Sequence, residues 1–131
     1  MTRTIAKAAA AAAATGTEIV AVNPEFGPPS IEGYLDEAFS VPGLLAEMVK
    51  APGMDAYIVA CFDDTGLDAA RCSTESPVVG VGEAAFHLAC LVAGGFSVIT
   101  TLSRSVPAIE HNLRKYGLAA RCRRVRGAKR A

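Results

Sequence analysis

The sequence predicts an α/β protein in which parallel strands form a sheet with helices on both faces. Short apolar segments alternate with segments of helical periodicity along the 131 residues. Segment 55–60 (DAYIVA) is apolar after its first residue, which is typical of a strand covered on both faces. Hydrophobic residues account for 51% of the chain and charged residues for 20%, a composition that indicates a globular protein with one core.

The first fifty residues are predicted to form a helix over 2–14, a strand over 17–22 (TEIVAV) and two short helices within 31–50, separated near Pro42. Arg3 and Lys7 precede an alanine run, as charged residues do in a signal peptide. Alanine is the best helix former and no leucine-rich segment follows, so a helix is the favoured interpretation.

Strands and helices alternate in the remainder of the chain. The predicted elements are a strand 55–60, helix 67–71, strand 77–81, helix 83–92, strand 96–100, helix 106–116 and strand 121–125. Thr65 and Asp68 have the spacing of a capping box at the start of the helix 67–71. Pro107 near the first turn and Gly117 after the last turn mark the ends of the final helix.

Charge is distributed unevenly although the net charge is zero. All 13 acidic residues lie at or before Glu110, whereas eight of the 13 basic residues lie after it. A basic C-terminal segment can bind nucleic acid through phosphate groups. This one lacks interleaved aromatic residues and any known reading motif, so nucleic acid is not an expected partner. No apolar segment approaches the roughly 18–20 residues that span a bilayer, so no membrane segment is predicted.

Cys61 is the leading candidate for chemistry. In parallel α/β sheets ligands bind beyond the carboxyl ends of the strands, and Cys61 follows the strand 55–60 directly. We expect the N–H groups of the next helix to favour its thiolate form, which can act as a base or a nucleophile. A buried structural cysteine is the alternative. Cys72, Cys90 and Cys122 are interpreted as structural, and the four cysteines lack the spacing of a zinc site or a disulfide framework.

Two other strand ends carry polar groups. Thr100 and Thr101 offer hydroxyls that suit a carboxylate or an imide, while Ser103 nearby is an ordinary helix-capping residue on the alternative interpretation. Glu83 can orient a substrate or stabilise the helix that it opens, and position alone favours the second role. His87 and His111 have no partner at metal-ligand spacing, so no metal is predicted. Gly80 and Gly82 form only a GxG, which is weak support for a phosphate site.

Several long segments resemble the hydantoin racemases of the aspartate/glutamate racemase superfamily. They are DAYIVACFDDTGLDAAR (55–71), PVVGVGEAA (77–85), FSVITTLSRSVPAIEHNLRKYGL (96–118) and, less closely, GPPSIEGYLDEAFSVPGLL (27–45). The resemblance implies an aspartate/glutamate racemase-like fold and racemisation without a metal or pyridoxal cofactor. One cysteine thiolate removes the proton beside a carbonyl, and a second cysteine on the opposite face returns one.

The resemblance also implies roles for individual residues. Cys61 is the first acid/base cysteine, and Thr100 and Thr101 bind substrate through their hydroxyls. Four further residues line or support the pocket: Phe62, Asp63, Gly66 and Glu83. The implied substrate is a small molecule, either a 5-substituted hydantoin or a related amino-acid derivative, and the free thiols favour a cytoplasmic location.

The sequence departs from the family pattern at both ends. Family members open with a strand bearing an Asn-rich loop, and they hold the second cysteine in a Gly-Cys-Ala-like motif that has no match here. We therefore expect residues 1–95 to form a first lobe that lacks its first strand, 96–125 to begin a second lobe, and 126–131 to be a divergent basic tail. On this interpretation the chain is an incomplete copy that is poorly stable alone and inactive as a racemase. The alternative is a truncated paralogue that binds a partner or itself through open strand edges, with a homo-oligomer as one outcome.

Overall fold

The computed structural model describes residues 2–128. Its helices are α1 (Thr2–Ala12), α2 (Tyr34–Lys50), α3 (Leu67–Cys72), α4 (Val81–Val92) and α5 (Val106–Lys115), with single 3₁₀ turns at Ser103–Ser105 and Ala119–Arg121. Its strands are β1 (Tyr57–Val59), β2 (Val78–Gly80), β3 (Phe96–Thr100) and β4 (Cys122–Gly127). None of these helices is both long and apolar enough to cross a membrane.

The strands form two parallel pairs. β1 pairs with β2, with Tyr57 opposite Val78, and β3 pairs with β4, with Thr100 opposite Gly127. A helix connects the strands of each pair, as parallel strands require, and this arrangement confirms the predicted α/β class. The proposed boundaries at residues 95 and 125 stay predictions, and the last three residues of the predicted basic tail lie outside the described part of the chain.

Each pair has its own apolar core. Val59 and Val78 of the first pair pack with Leu67 and Ala70 of α3. In the second pair Val98 packs with Phe86 of α4 and with two residues of α5, Ile109 and Leu113. Because α4 follows β2 but contributes Phe86 to the second core, it joins the two strand pairs.

The predicted strand over 17–22 is wrong. These residues form no strand, and Val20 and Val22 are more than half exposed. A strand is stable only when a neighbouring strand accepts and donates its backbone hydrogen bonds. No such neighbour pairs with this segment within residues 2–128, since each strand of the structure pairs only with the other strand of its own pair.

The prediction of two helices within 31–50 is also wrong, because α2 continues through Pro42. Proline removes one hydrogen bond and costs about 3 kcal/mol inside a helix. Gly43 is the buried residue of α2, and a Cβ on it would lie 2.9 Å from the Cβ of Pro24. This close packing holds the residues around Pro42 in place, so the helix does not end there.

Three smaller expectations need correction. Gly66, rather than Thr65, precedes α3, and no side chain caps that helix, so the predicted capping box does not form. The helix predicted from Glu83 begins at Val81. β1 is not covered on both faces, because Ile58 is 59% exposed while Val59 beside it is buried. An apolar sequence shows that both faces of a strand can be buried. Whether they are buried depends on which helices pack against each face.

Candidate functional site

Cys61 lies just beyond the carboxyl end of β1, as predicted. Its thiol is free and half-buried, and its side chain packs against the first core. The polar partner of its sulfur is a hydroxyl, the Oγ1 of Thr65 at 3.4 Å, rather than an N–H group of α3. The first N–H of that helix, on Leu67, donates instead to the carbonyl of Asp64.

Residues 61–66 form a tight connection between β1 and α3, which we call the cysteine turn. The N–H of Asp64 donates to the carbonyl of Cys61 at 3.0 Å. Asp64 has a φ of +50°, a left-handed conformation that aspartate tolerates better than most residues. Gly66 has a φ of +76°, and a Cβ there would lie 2.8 Å from Leu44 of α2. The turn therefore requires glycine at 66 both for its backbone and for its contact with α2.

The carboxylate of Asp64 connects the cysteine turn to two distant helices. It is buried and accepts hydrogen bonds from the backbone N–H groups of Gly82 (2.9 Å) and Glu83 (2.7 Å) in the first turn of α4. The hydroxyl of Tyr116, just after α5, donates to the same carboxylate at 2.8 Å. The first N–H groups of a helix have no acceptor within the helix. The Asp64 carboxylate supplies that acceptor for α4.

The two glycines of the GxG sequence permit this contact. A Cβ on Gly80 would collide with the Asp64 carboxylate and lie 2.7 Å from Leu67, and a Cβ on Gly82 would lie 2.8 Å from Asp64 Oδ2 and overlap the carbonyl of Phe62. These glycines are therefore explained by close packing between the cysteine turn and α4.

Two carboxyl groups, one in the cysteine turn and one in α2, have raised pKa values. Burial raises the pKa of Asp63, and the neighbouring charge of Asp64 raises it further. Burial also raises the pKa of Glu37 in α2, with a smaller contribution from Asp63. Both line a cavity of about 230 Å³, which is also lined by His111 and Asn112 of α5. Within residues 2–128, no three His, Cys, Asp or Glu side chains converge as metal ligands.

The structure brings together five of the seven predicted site residues. Cys61, Phe62, Asp63 and Gly66 belong to the cysteine turn, and the N–H of Glu83 is bound to it through Asp64. The Glu83 carboxylate pairs with Arg71 at 2.6 Å, which agrees with a supporting role in α4. Thr100 and Thr101 lie at the end of β3, in the second strand pair.

Sequence reasoning missed three residues of this arrangement: Asp64, Thr65 and Tyr116. Asp64 and Thr65 stand in the same FDDTG sequence that singled out Cys61 and Asp63. The run of Asp, Thr and Gly after a strand signals a turn, but it does not show which side chain faces inward. Tyr116 is 52 residues from Asp64, and nothing in the sequence relates the two.

Comparison with known proteins identifies the family. The family described as Asp/Glu/Hydantoin racemase matches residues 1–131. The chain belongs to this family. It is 53% identical over 112 residues to a hydantoin racemase from Rhizobium meliloti, covering 84% of this chain and 46% of that protein. It is 44% identical over 128 residues to a hydantoin racemase from Pseudomonas sp. (strain NS671), covering 96% and 51%.

Solved structures of the same family share the fold. The allantoin racemase from Klebsiella pneumoniae superposes with a TM-score of 0.92 at 44% identity, over 96% of this chain and 52% of that one. The allantoin racemase from Pseudomonas fluorescens gives a TM-score of 0.90 at 38% identity, over 99% and 56%. The chain thus spans about half the length of the racemases that it matches.

The other thiols of this racemase-family chain occupy different kinds of position. Cys72 is exposed at the end of α3, and Cys90 lies within α4. Cys122 is the first residue of β4, opposite Phe96, so it lies at the amino edge of the second strand pair, away from Thr100. Among the described cysteines, Cys61 is therefore the one that follows the carboxyl end of a parallel strand.

Proposed function

We propose that this chain supplies one proton-transferring thiol, Cys61, of a racemase site for 5-substituted hydantoins or related amino-acid derivatives such as allantoin. The observation that carries the proposal is the position of Cys61: a half-buried free thiol on a rigid turn beyond a parallel strand. Hydantoin racemases 44–53% identical to the chain support the choice of substrate class.

In the proposed reaction the Cys61 thiolate removes the proton from the substrate carbon beside the carbonyl. The carbon–hydrogen bond breaks, its electron pair delocalises into an enolate-like system, and Cys61 becomes a thiol. A second thiol then donates a proton to the opposite face of the carbon. Hydrogen-bond donors around the carbonyl stabilise the negative charge that develops on its oxygen. The proposal requires no metal or pyridoxal group.

The remaining site residues are proposed to bind rather than to transfer protons. The hydroxyls of Thr100 and Thr101, at the carboxyl end of β3, bind the imide or carboxylate of the substrate. Phe62 packs edge-on against Phe86 with ring centroids 5.4 Å apart, so it forms a fixed apolar wall. Asp63, Gly66 and Glu83 support the cysteine turn.

We further propose that the second thiol is not one of Cys72, Cys90 or Cys122. Those three lie in helices or at the amino edge of a strand pair, whereas a substrate held at Cys61 lies beyond the carboxyl edge. The chain alone is then expected to remove and return a proton on one face without inverting the carbon. Four free thiols suit a reducing cytoplasm, where we place the chain.

Deuterium exchange tests this proposal directly. A single enantiomer of a 5-substituted hydantoin is incubated with the chain in D₂O, and loss of the C5 proton is followed by NMR while polarimetry follows the configuration. We expect exchange above the uncatalysed background with little extra racemisation. Cys61→Ser abolishes the exchange, and Cys72→Ser, the matched exposed control, does not.

Either of two results would contradict the proposal. Exchange equal to background would remove the assignment of Cys61 as a proton-transferring group. Racemisation by the chain alone that is lost in Cys61→Ser would show that both thiols are present, and the restriction to one face would be wrong.

A second candidate function is a binding or self-associating module. Large apolar side chains remain exposed on both strand pairs, including Ile58 (59%) and Ile99 (76%), and each pair has two open edges. Light scattering coupled to size exclusion distinguishes this role. A monomer over a wide concentration range contradicts it, and a stable dimer with background-level exchange favours it over catalysis.

A further inference from the structure

Thr65 is a buried polar residue in direct contact with the proposed acid/base thiol. Its residue surface is only 5% exposed, and its Oγ1 lies 3.4 Å from the Sγ of Cys61. Within residues 2–128 this sulfur is the hydrogen-bond partner of the Thr65 hydroxyl. A buried hydroxyl normally has a hydrogen-bond partner, because leaving it unpaired destabilises the folded chain.

The fold of the cysteine turn fixes this contact. The hydrogen bond from the Asp64 N–H to the Cys61 carbonyl reverses the chain, and left-handed conformations on both sides of Thr65, at Asp64 and Gly66, return it toward β1. Thr65 is β-branched, so its χ1 is restricted, and its hydroxyl contacts the sulfur of Cys61. The Asp64 carboxylate in turn is anchored to α4. The hydroxyl is therefore preorganised with respect to the sulfur.

The direction of this hydrogen bond depends on the charge of the sulfur. While Cys61 is a thiol, either group can donate. Once Cys61 has lost its proton, sulfur is an acceptor only, and the Thr65 hydroxyl must donate. Hydrogen bonds to a charged acceptor are roughly twice as strong as those between neutral groups. The contact is therefore stronger with the thiolate than with the thiol.

We propose that Thr65 is a positioning residue that holds the Cys61 sulfur and favours its thiolate form through this hydrogen bond. This inference rests on the proposed function, since it assigns Thr65 a role in preparing the base. Thr65 itself transfers no proton to the substrate. Its contribution is to raise the fraction of chains in which Cys61 is ready to accept one.

The test measures alkylation of Cys61 by iodoacetamide, quantified on the Cys61 peptide by mass spectrometry. Thr65→Val replaces the hydroxyl with a methyl group of similar size, and Thr65→Ser keeps the hydroxyl. At pH 7 we expect Thr65→Val to slow alkylation about three- to tenfold, because the hydrogen bond to the thiolate is stronger than the bond to the thiol by about this factor. Thr65→Ser should stay near the parent rate. The exposed thiol of Cys72 serves as an internal reference whose rate stays unchanged.

A pH series separates ionisation from access. At high pH, where the thiol is ionised in every variant, the rates of Thr65→Val and the parent converge if the hydroxyl acts on ionisation. A difference that persists at high pH, or an equal slowing in Thr65→Ser, would attribute the effect to packing and overturn the inference.

The outcomes also distinguish this inference from the proposed function. If Cys61 is alkylated in the parent chain and Thr65→Val does not change the alkylation rate, only the role of Thr65 is contradicted. A Cys61 that resists alkylation in the parent chain, while Cys72 reacts, removes the proposed function and the role of Thr65 together.

Discussion

The two strand pairs carry their candidate site residues in different ways. At the carboxyl end of β1 the cysteine turn buries three polar residues in succession, Asp63, Asp64 and Thr65. At the carboxyl end of β3 the corresponding contact is made by backbone: the N–H of Ala128 donates to the carbonyl of Thr100 at 2.7 Å. Thr101 is exposed there.

The two strand ends are therefore stabilised by different kinds of contact. The β3 end depends on its neighbouring strand, and its hydroxyls stay available to a ligand. The β1 end depends on side-chain contacts with α4 and α5, made by residues 18 to 52 positions away in the sequence. A thiol that removes a proton from carbon needs a fixed position, because a small displacement of the reacting groups slows the reaction greatly. On the proposed function, the contacts of the β1 end give Cys61 this fixed position.

The largest effect is expected at Asp64. Asp64→Ala leaves two backbone N–H groups of α4 and the hydroxyl of Tyr116 without their acceptor. Because buried donors that lose a charged partner are costly, we expect the free energy of unfolding to fall by about 3 kcal/mol or more. Urea denaturation followed by circular dichroism measures the change.

Two further variants give reference values for this loss of stability. Tyr116→Phe removes one of the three donors and should cost about 1–2 kcal/mol. Asp68→Ala breaks an exposed ion pair with Lys115 and should cost less than about 1 kcal/mol. If Asp64→Ala were no more destabilising than Asp68→Ala, the cysteine turn would not depend on its distant contacts and the comparison would fail.

A smaller effect, dependent on pH, is expected at Asp63. Its pKa is raised above the ordinary value of 3.8, so over an interval above pH 3.8 the folded chain holds a proton that the unfolded chain has released. Its contribution to stability is greatest below 3.8 and is lost as the pH rises through the folded pKa. Asp63→Asn, which stays neutral, should therefore be more stable than the parent at pH 8, by about 1 kcal/mol.

Denaturant midpoints at pH 5 and pH 8 check this prediction. The advantage of Asp63→Asn should shrink at the lower pH, where the parent carboxyl is closer to neutral. Asp36→Asn is a control in the first turn of α2, where the half-buried Asp36 carboxylate accepts a hydrogen bond from the N–H of Glu32. An advantage for Asp63→Asn that is independent of pH would show that charge burial is not its cause.

The smallest effect on stability is expected at the β3 end. Thr100→Val removes the hydroxyl of the last residue of β3 and keeps the shape and the β-propensity of the side chain. We expect the free energy of unfolding to change by less than about 0.5 kcal/mol. A loss comparable to that of Tyr116→Phe would show that this hydroxyl supports the fold, and its proposed role in binding substrate would weaken.

Elements with strong local signals were predictable from the sequence. The strand Phe96–Thr100 has its predicted bounds, and α5 begins at the predicted residue, because a proline near its start and a glycine after its end mark both limits. The position of Cys61 after a strand was also predicted, because turn residues follow the apolar segment 55–60. Apolar runs bounded by turn residues define where a strand stops.

Elements that depend on distant partners were not predictable. Segment 17–22 has the composition of a strand but lacks a paired neighbour among residues 2–128. α2 contains Pro42 yet does not end there, because its residues pack on Pro24 and Gly66. In both segments the local pattern led to a wrong prediction, because tertiary contacts decided the structure.

The sequence by itself determined the α/β class and the position of Cys61 beyond a strand, since both follow from patterns between neighbouring residues. The resemblance of its longer segments to known racemases indicated the family. Only the tertiary structure decided that Asp64 anchors the turn, that Gly80 and Gly82 allow its approach, and that Thr65 faces the sulfur. The reason is physical. A buried carboxylate or hydroxyl is stable only where it forms hydrogen bonds with donors or acceptors from other parts of the chain. Those hydrogen bonds form only when the chain folds.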